Sequence, residues 1–263
     1  MKPLRNFEFG NDPHPIPRVQ QFSGDTPSLH LDECRKLVAE RYLQEGYITD
    51  AQIDLADGAI NRRTDPYVEQ SEYFGVYDQD GVIEATARLI KVSEHPEDWV
   101  FPLEKEFHLY PQFSTLIEET RRKDPRSIVE ISALAKKEHV DHLTSLEVYR
   151  YIWQHAKRTG YNICLISADI RLGNKMSAMF GEAIVQVGEP SYVLGSMTVP
   201  LILQTNKCAE AMKDVYLETV AQYSESDAEV YKELINYLRD GLEAEYFDAA
   251  EKRQLADIGI TID

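Results

Sequence analysis

The sequence predicts an α/β fold of layered, α+β type: a mixed central sheet flanked by helices, followed by a helical C-terminal extension. Three observations carry this. From Glu72 to Leu203, strand-like and helical stretches follow in the order strand, strand, helix, strand, helix, strand, helix, strand, strand. "RSIVEISALAKK" (126–137) and "YNICLISAD" (161–169) are apolar without alternation, as in strands covered on both faces. From Asn206 onward the apolar residues recur at helical spacing. With 263 residues, 43% of them hydrophobic, the chain can bury one sizeable core.

The elements are justified in order. Residues 1–30, rich in Pro, Asn, Asp and Gly, read as an irregular arm. "LDECRKLVAERYLQEGY" spaces Leu31, Cys34, Leu37, Val38 and Tyr42 as one helix face, with Gly46 as its stop. A short helical piece is expected in "TDAQIDLADGAI" (49–60). "EYFGVYDQDGVIEATARLI" gives two strands about a turn at Asp80-Gly81. Its second strand would put Glu84, Thr86 and Arg88 on one face and Ile83, Ala85, Ala87 and Leu89 on the other. Three prolines make 93–113 irregular, and "STLIEETRRKD" a short helix. After the strand at 126–137, "EHVDHLTS" reads as a loop, and Thr144 with Glu147 forms a capping box for a helix closed by Gly160. Its aromatic residues Tyr149, Tyr151 and Trp153 read as core. "YNICLISAD" is a strand, "RLGNKMSAMFG" a helix ended by Gly181, and "EAIVQVGE" and "SYVLGSMTVPLIL" two strands. In the tail, Ala209, Met212, Tyr216 and Val220 form one apolar stripe, and Tyr231, Leu234, Ile235, Leu238 and Leu242 another. The domains are therefore 1–30, 31–205 and 206–263.

A net charge of −17 speaks against non-specific nucleic-acid binding. It is unevenly spread: residues 121–171 carry a local +4, whereas 207–263 carry −8. The basic middle suits an anionic ligand or partner. No apolar run reaches the roughly 20 residues of a membrane span, and the N-terminus has no signal-peptide core, so a cytoplasmic location is expected. Cys34, Cys164 and Cys208 are too dispersed for a disulfide framework or zinc site and read as packing residues. The pair His139 and His142 lacks further nominated ligands, so no metal is expected. GxSxG, Walker A and GxGxxG motifs are all absent.

Glu130 is the anomaly, a carboxylate inside an apolar strand. A buried carboxylate loses hydration, so it is either a satisfied structural acid or a group held ready for chemistry. The strand alone leaves both readings open.

The series "CRKLVAERYL", "YFGVYDQDGVIEATARLI", "PLEKEF", "SIVEISALA", "SLEVYRYIWQHAKRTGYNICLIS" and "MFGEAIVQVGEP" resembles the acyl-homoserine lactone synthase branch of the GNAT superfamily, and within it the long-chain N-acyl amino acid synthases. The resemblance spans about Leu31 to Leu203. It implies a GNAT-like, mostly antiparallel sheet. It also implies an N-acyltransferase moving a long-chain fatty acyl group from acyl carrier protein, or from acyl-CoA, to the amine of an amino acid or related metabolite. No tightly bound cofactor is implied; the acyl-phosphopantetheine or acyl-CoA is a co-substrate.

Residue by residue, the resemblance makes Glu130 the strand glutamate and Arg88 the conserved arginine after the hairpin, both as catalytic residues. Glu130 would take the proton of the attacking amine. Arg88 would hold the acceptor's carboxylate, or else pair with Glu130. Ser132, Ala133, Leu134 and Ala135 would bind substrate, with backbone N–H groups at 133–135 facing the oxyanion. An acidic carrier protein would dock on Arg121, Arg122, Lys123, Arg126, Lys136 and Lys137. "KKEHVDHLTS" lacks the glycines of an acetyl-CoA pyrophosphate loop, and Phe180 stands where acetyltransferases often have a tyrosine. The alternatives are an acetyl-CoA-dependent N-acetyltransferase and a non-catalytic sensor or interaction module. The tail suits a cover for the core, a gate or a homo-oligomer contact, and sequence does not choose among them.

Overall fold

In the computed structural model the first hairpin organises one end of the sheet. β2 (Ser71–Tyr77) and β3 (Ile83–Lys91) pair antiparallel, from Ser71↔Ile90 to Tyr77↔Ile83. The Asp78 carboxylate accepts from the amides of Asp80 and Val82, and Gly81 supplies the positive φ of 77° that the turn needs. The structure describes residues 18–262 apart from 139, 141, 194, 223 and 224. Residues 18–23 are not an irregular arm: they form β1 (Arg18–Ser23), an edge strand antiparallel to β2.

The helices and the remaining strands follow in chain order. α1 (Leu29–Gln44) is capped by the Ser28 hydroxyl and stops before Gly46, whose φ is 73°. Only a 3-10 turn, Asp50–Gln52, forms in the segment expected to hold a second helical piece. The proline-rich stretch contains the short α2 (Pro102–Glu106), and α3 (Pro111–Lys123) follows it. β4 (Ile128–Lys136) leads to α4 (His142–Thr159). That helix starts two residues before Thr144, so Thr144 lies in its first turn rather than capping it. The His139 and His142 pair lies outside the described side chains.

β5 (Ile163–Asp169) and α5 (Ile170–Phe180) come next, and Gly181 at φ 49° ends the helix. β6 is confined to Ile184–Gln186, and the last predicted strand divides into β7 (Ser191–Val193) and β8 (Ser196–Gln204). The eight-stranded sheet has the order β1-β2-β3-β4-β5-β8-β6, with β7 also on β8. β4–β5 is its parallel pair; the other pairs are antiparallel.

α1, α2 and α3 cover one face and α4 and α5 the other. The tail forms α6 (Cys208–Gln222), α7 (Glu225–Arg239) and α8 (Ala249–Ala256), packed outside α4 and α5. Tyr231, Leu234, Ile235, Leu238 and Leu242 are buried in the same cluster as Trp153 and Phe180, so the extension shares the main core. In α6 Ala209 and Met212 of the expected stripe are buried, joined by Ala211 and Val215, while Val220 is exposed. A register shift at Val76/Tyr77 likewise moves Ile83 away from Ala85, Ala87 and Leu89, into the cluster with α1. All three cysteines are buried and free. No helix among the described residues is long and apolar enough to cross a membrane.

Candidate active site

Strand register brings the two catalytic candidates to one face. Ile90 lies opposite Glu130 and Arg88 opposite Ser132, and residues directly across a ladder share a face, so Arg88, Glu130 and Ser132 all point toward the α1–α3 layer. Glu130 is only 2% exposed. Its Oε2 accepts from the Leu103 amide at 3.1 Å, at the first turn of α2, and no ion pair reaches it among the described residues. Burial pushes the Glu130 carboxyl up to about 8; the Leu103 hydrogen bond opposes this, and the nearby Glu106 reinforces it.

Arg88 does not pair with Glu130. Its Nη1 donates to Asp65 Oδ2 at 2.5 Å and to the Tyr73 hydroxyl at 3.4 Å, while Nη2 donates to Ser132 Oγ at 3.2 Å. The reason lies in the turn at 61–65. Asn61 Oδ1 accepts from the amides of Arg63 and Thr64, and the Asn61 carbonyl accepts from Asp65 N, which carries Asp65 over the sheet. Asp65 thus already supplies the carboxylate that Arg88 was expected to take from a substrate or from Glu130. The buried Arg88 Nε has no partner among the described residues.

β4 departs from regularity just beyond Glu130. Between Thr86↔Ala135 and Arg88↔Ser132, β4 carries one extra residue, a bulge at which Ala133 takes φ 51°. A non-glycine residue held in that region marks a local constraint. On the other side, pairing with β5 ends at Ile131↔Ile166 although β4 runs on to Lys136 and β5 to Asp169. The strands diverge, and the β5-facing edge of Ser132–Ala135 is left without a strand partner.

A cavity of about 380 Å³ occupies the divergence. On the α1–α3 face its wall is polar, with Asp65, Arg88, Glu106 and Glu130 beside Tyr42 and Tyr73. On the other face it is apolar, formed by Ile152, Trp153, Ile166, Met176, Phe180 and Leu203. Ser132, Ala133 and Leu134 on β4 and Ser167 and Ala168 on β5 line the passage between the halves. The buried Ser167 Oγ has no partner there among the described residues. Of the residues expected to bind substrate, Ala135 alone is absent from the wall; it packs with α1.

Asp65, Glu106, Tyr149 and Trp153 also line this cavity, and sequence reasoning did not select them. Asp65 lies in a turn without helical or strand periodicity, and Trp153 reads as ordinary core because its helix packs on the sheet. A pattern of polar residues in the loop facing Arg88 was the one available signal.

The six docking candidates are not one surface. Arg121 is 7% exposed and ion-paired with Glu104 at 2.5 Å, so it is a structural residue. Arg122, Lys123 and Arg126 are exposed but precede β4, and Lys123 pairs with Glu119. Lys136 and Lys137 are half-buried at the other end of that strand, beside the divergence. Nine strand residues at about 3.3 Å each separate the two groups by roughly 30 Å.

Residues 33–206 match the profile of the N-acyl amino acid synthase FeeM family. No curated protein matches the chain in sequence. Among solved structures, that of FeeM, an N-acyl amino acid synthase from uncultured soil microbes, has a TM-score of 0.52 and 14% identity over 74% of this chain and 95% of that one. The AHL synthase LasI has a TM-score of 0.52 and 16% identity, covering 74% and 93%. A CoA-dependent acyl-homoserine lactone synthase, BjaI, determined with SAM and isopentyl-CoA, has a TM-score of 0.53 and 13% identity, covering 79% and 91%. At these identities the likeness speaks for a shared, GNAT-like fold.

Proposed function

The chain belongs to the family of the N-acyl amino acid synthase FeeM and is an acyltransferase that moves an acyl group onto an amine; from that premise we propose a long-chain acyl thioester as donor and an amino acid or related metabolite as acceptor. The observation that carries this reading is a cavity whose halves differ in chemistry and meet beside Glu130. The apolar half suits a fatty chain, since each buried methylene contributes about 0.8 kcal/mol. The polar half suits a small amine.

In this reading Glu130 removes a proton from the bound ammonium, directly or through water, and a carboxyl held near 8 is well matched to that task. The freed nitrogen lone pair attacks the thioester carbonyl. A C–N bond forms, and backbone N–H groups on the open edge around Ala133 and Leu134 stabilise the oxyanion. The C–S bond then breaks as the attacking nitrogen gives up its second proton, through water, to the departing thiolate, and Glu130 returns its proton to solvent. Arg88 is a positioning residue, fixing Ser132 and Asp65 at the cavity wall. An acyl carrier protein is the proposed partner, docked near Lys136 and Lys137 and not on the Arg122–Arg126 group. Lys136→Glu with Lys137→Glu is expected to raise the carrier-protein KM about tenfold with little change in kcat, and Arg122→Glu with Arg126→Glu to leave both unchanged.

The test is mass spectrometry of the protein incubated with long-chain acyl carrier proteins or acyl-CoAs and a mixture of amines. An N-acyl product formed by the wild type and lost in Glu130→Gln supports the reading. Absence of product from every donor, with the protein folded, rejects it.

A further inference from the structure

The charges in the cavity wall narrow the acceptor, given the acyltransfer reading above. Among the described residues two cations line it, Arg35 and Arg88, against four carboxylates, Asp65, Glu106, Glu130 and Asp169. Neither cation is free. Arg35 pairs with Asp57 at 3.1 Å, and Arg88 with Asp65. Asp169 is matched by the exposed Arg171 outside the cavity. Two carboxylates remain. Glu106 sits exposed at the rim with no ion-pair partner among the described residues, and Glu130 has only the Leu103 amide. The wall is therefore negative whether Glu130 is ionised or protonated.

An acceptor carboxylate entering this half would find no unmatched cation and two unmatched acids. A cation would find the reverse, in a cleft where charges interact more strongly than in water. The apolar half provides no alternative partner for a charged group. We infer that the acceptor is a dicationic amine of the diamine class, without a carboxylate: one nitrogen loses its proton and is acylated, while the second stays protonated against Glu106. This would leave Arg88 and Asp65 paired throughout turnover, with no substrate carboxylate displacing Asp65.

The test uses three five-carbon acceptors that differ only in their far end: pentane-1,5-diamine, pentylamine and 5-aminopentanoate, with lysine and norleucine as a second matched set and one long-chain acyl thioester as donor. The expected kcat/KM favours the diamine over pentylamine, and lysine over norleucine, by at least about tenfold, with 5-aminopentanoate poorest. Glu106→Gln is expected to bring both ratios toward one. Comparable or better turnover of norleucine or 5-aminopentanoate by the wild type overturns the inference while leaving acyl transfer intact. Failure to acylate any amine overturns both. The wild-type ratios decide between these outcomes on their own, even where Glu106→Gln fails to fold.

Discussion

Glu130 occupies a position where an ionised carboxylate works against folding. Its pKa near 8 lies above the ordinary value of 4.5, so between those limits the native state holds a proton that the unfolded chain has released. Stability is then full below about 4.5, falls as pH rises through 8, and is flat beyond. A pKa that differs by one between the folded and unfolded states corresponds to about 1.4 kcal/mol. Glu130→Gln is expected to abolish this slope and to raise stability at pH 9 by up to about 5 kcal/mol in urea unfolding, while lowering kcat about 10²- to 10⁴-fold. Wild-type kcat/KM should rise with pH to an apparent pKa near 8, because the base form is the unprotonated one. A variant that is both less stable and fully active would return Glu130 to a structural role. The residue was conspicuous in the sequence because a lone acid broke an apolar run. Asp65 was not, since its importance comes from a contact across 23 residues with Arg88.

At the scale of elements, β4 does more than carry Glu130. Its bulge turns the chain at Ala133 while β5 separates from it, and the two irregularities together open the passage. Ala133→Val places a β-branched side chain at a positive φ and in the passage, and should cost roughly 2 kcal/mol and most of the activity. Ala133→Gly, at ease with that φ, should stay within about 1 kcal/mol of wild type and remain active, as read by thermal unfolding and turnover together. The strands at 128–136 and 163–169 were legible because burial on both faces leaves an unbroken apolar run. The bulge was not, as alanine carries no turn signal. "RVQQFS" was missed for a different reason: an edge strand bonds to one neighbour and need not be apolar. The capping box at Thr144 matched the local motif, but α4 begins earlier, at His142.

At the scale of the whole molecule, α4 ties the extension to the catalytic layer. Lys157 Nζ contacts both carboxylate oxygens of Glu251 on α8, at 2.6 and 2.8 Å, with both side chains buried. Gln154 donates to the carbonyls of Leu238 and Asp240 at the end of α7. Glu251→Gln leaves a buried lysine unmatched and is expected to lower stability by about 3 kcal/mol, whereas Lys157→Met with Glu251→Leu should recover most of that loss in chemical denaturation. The tail's helicity and its second stripe were readable from spacing; its attachment was not, because Lys157 and Glu251 meet only after the sheet has placed α4 beneath α8. The cavity that crosses the sheet has a consequence for the order of events. In the proposed reading donor and acceptor are received from opposite faces, so neither must leave before the other arrives. Initial-velocity plots against the two substrates should therefore intersect, the mark of a ternary complex, and parallel lines would point to an acylated enzyme that this architecture does not require.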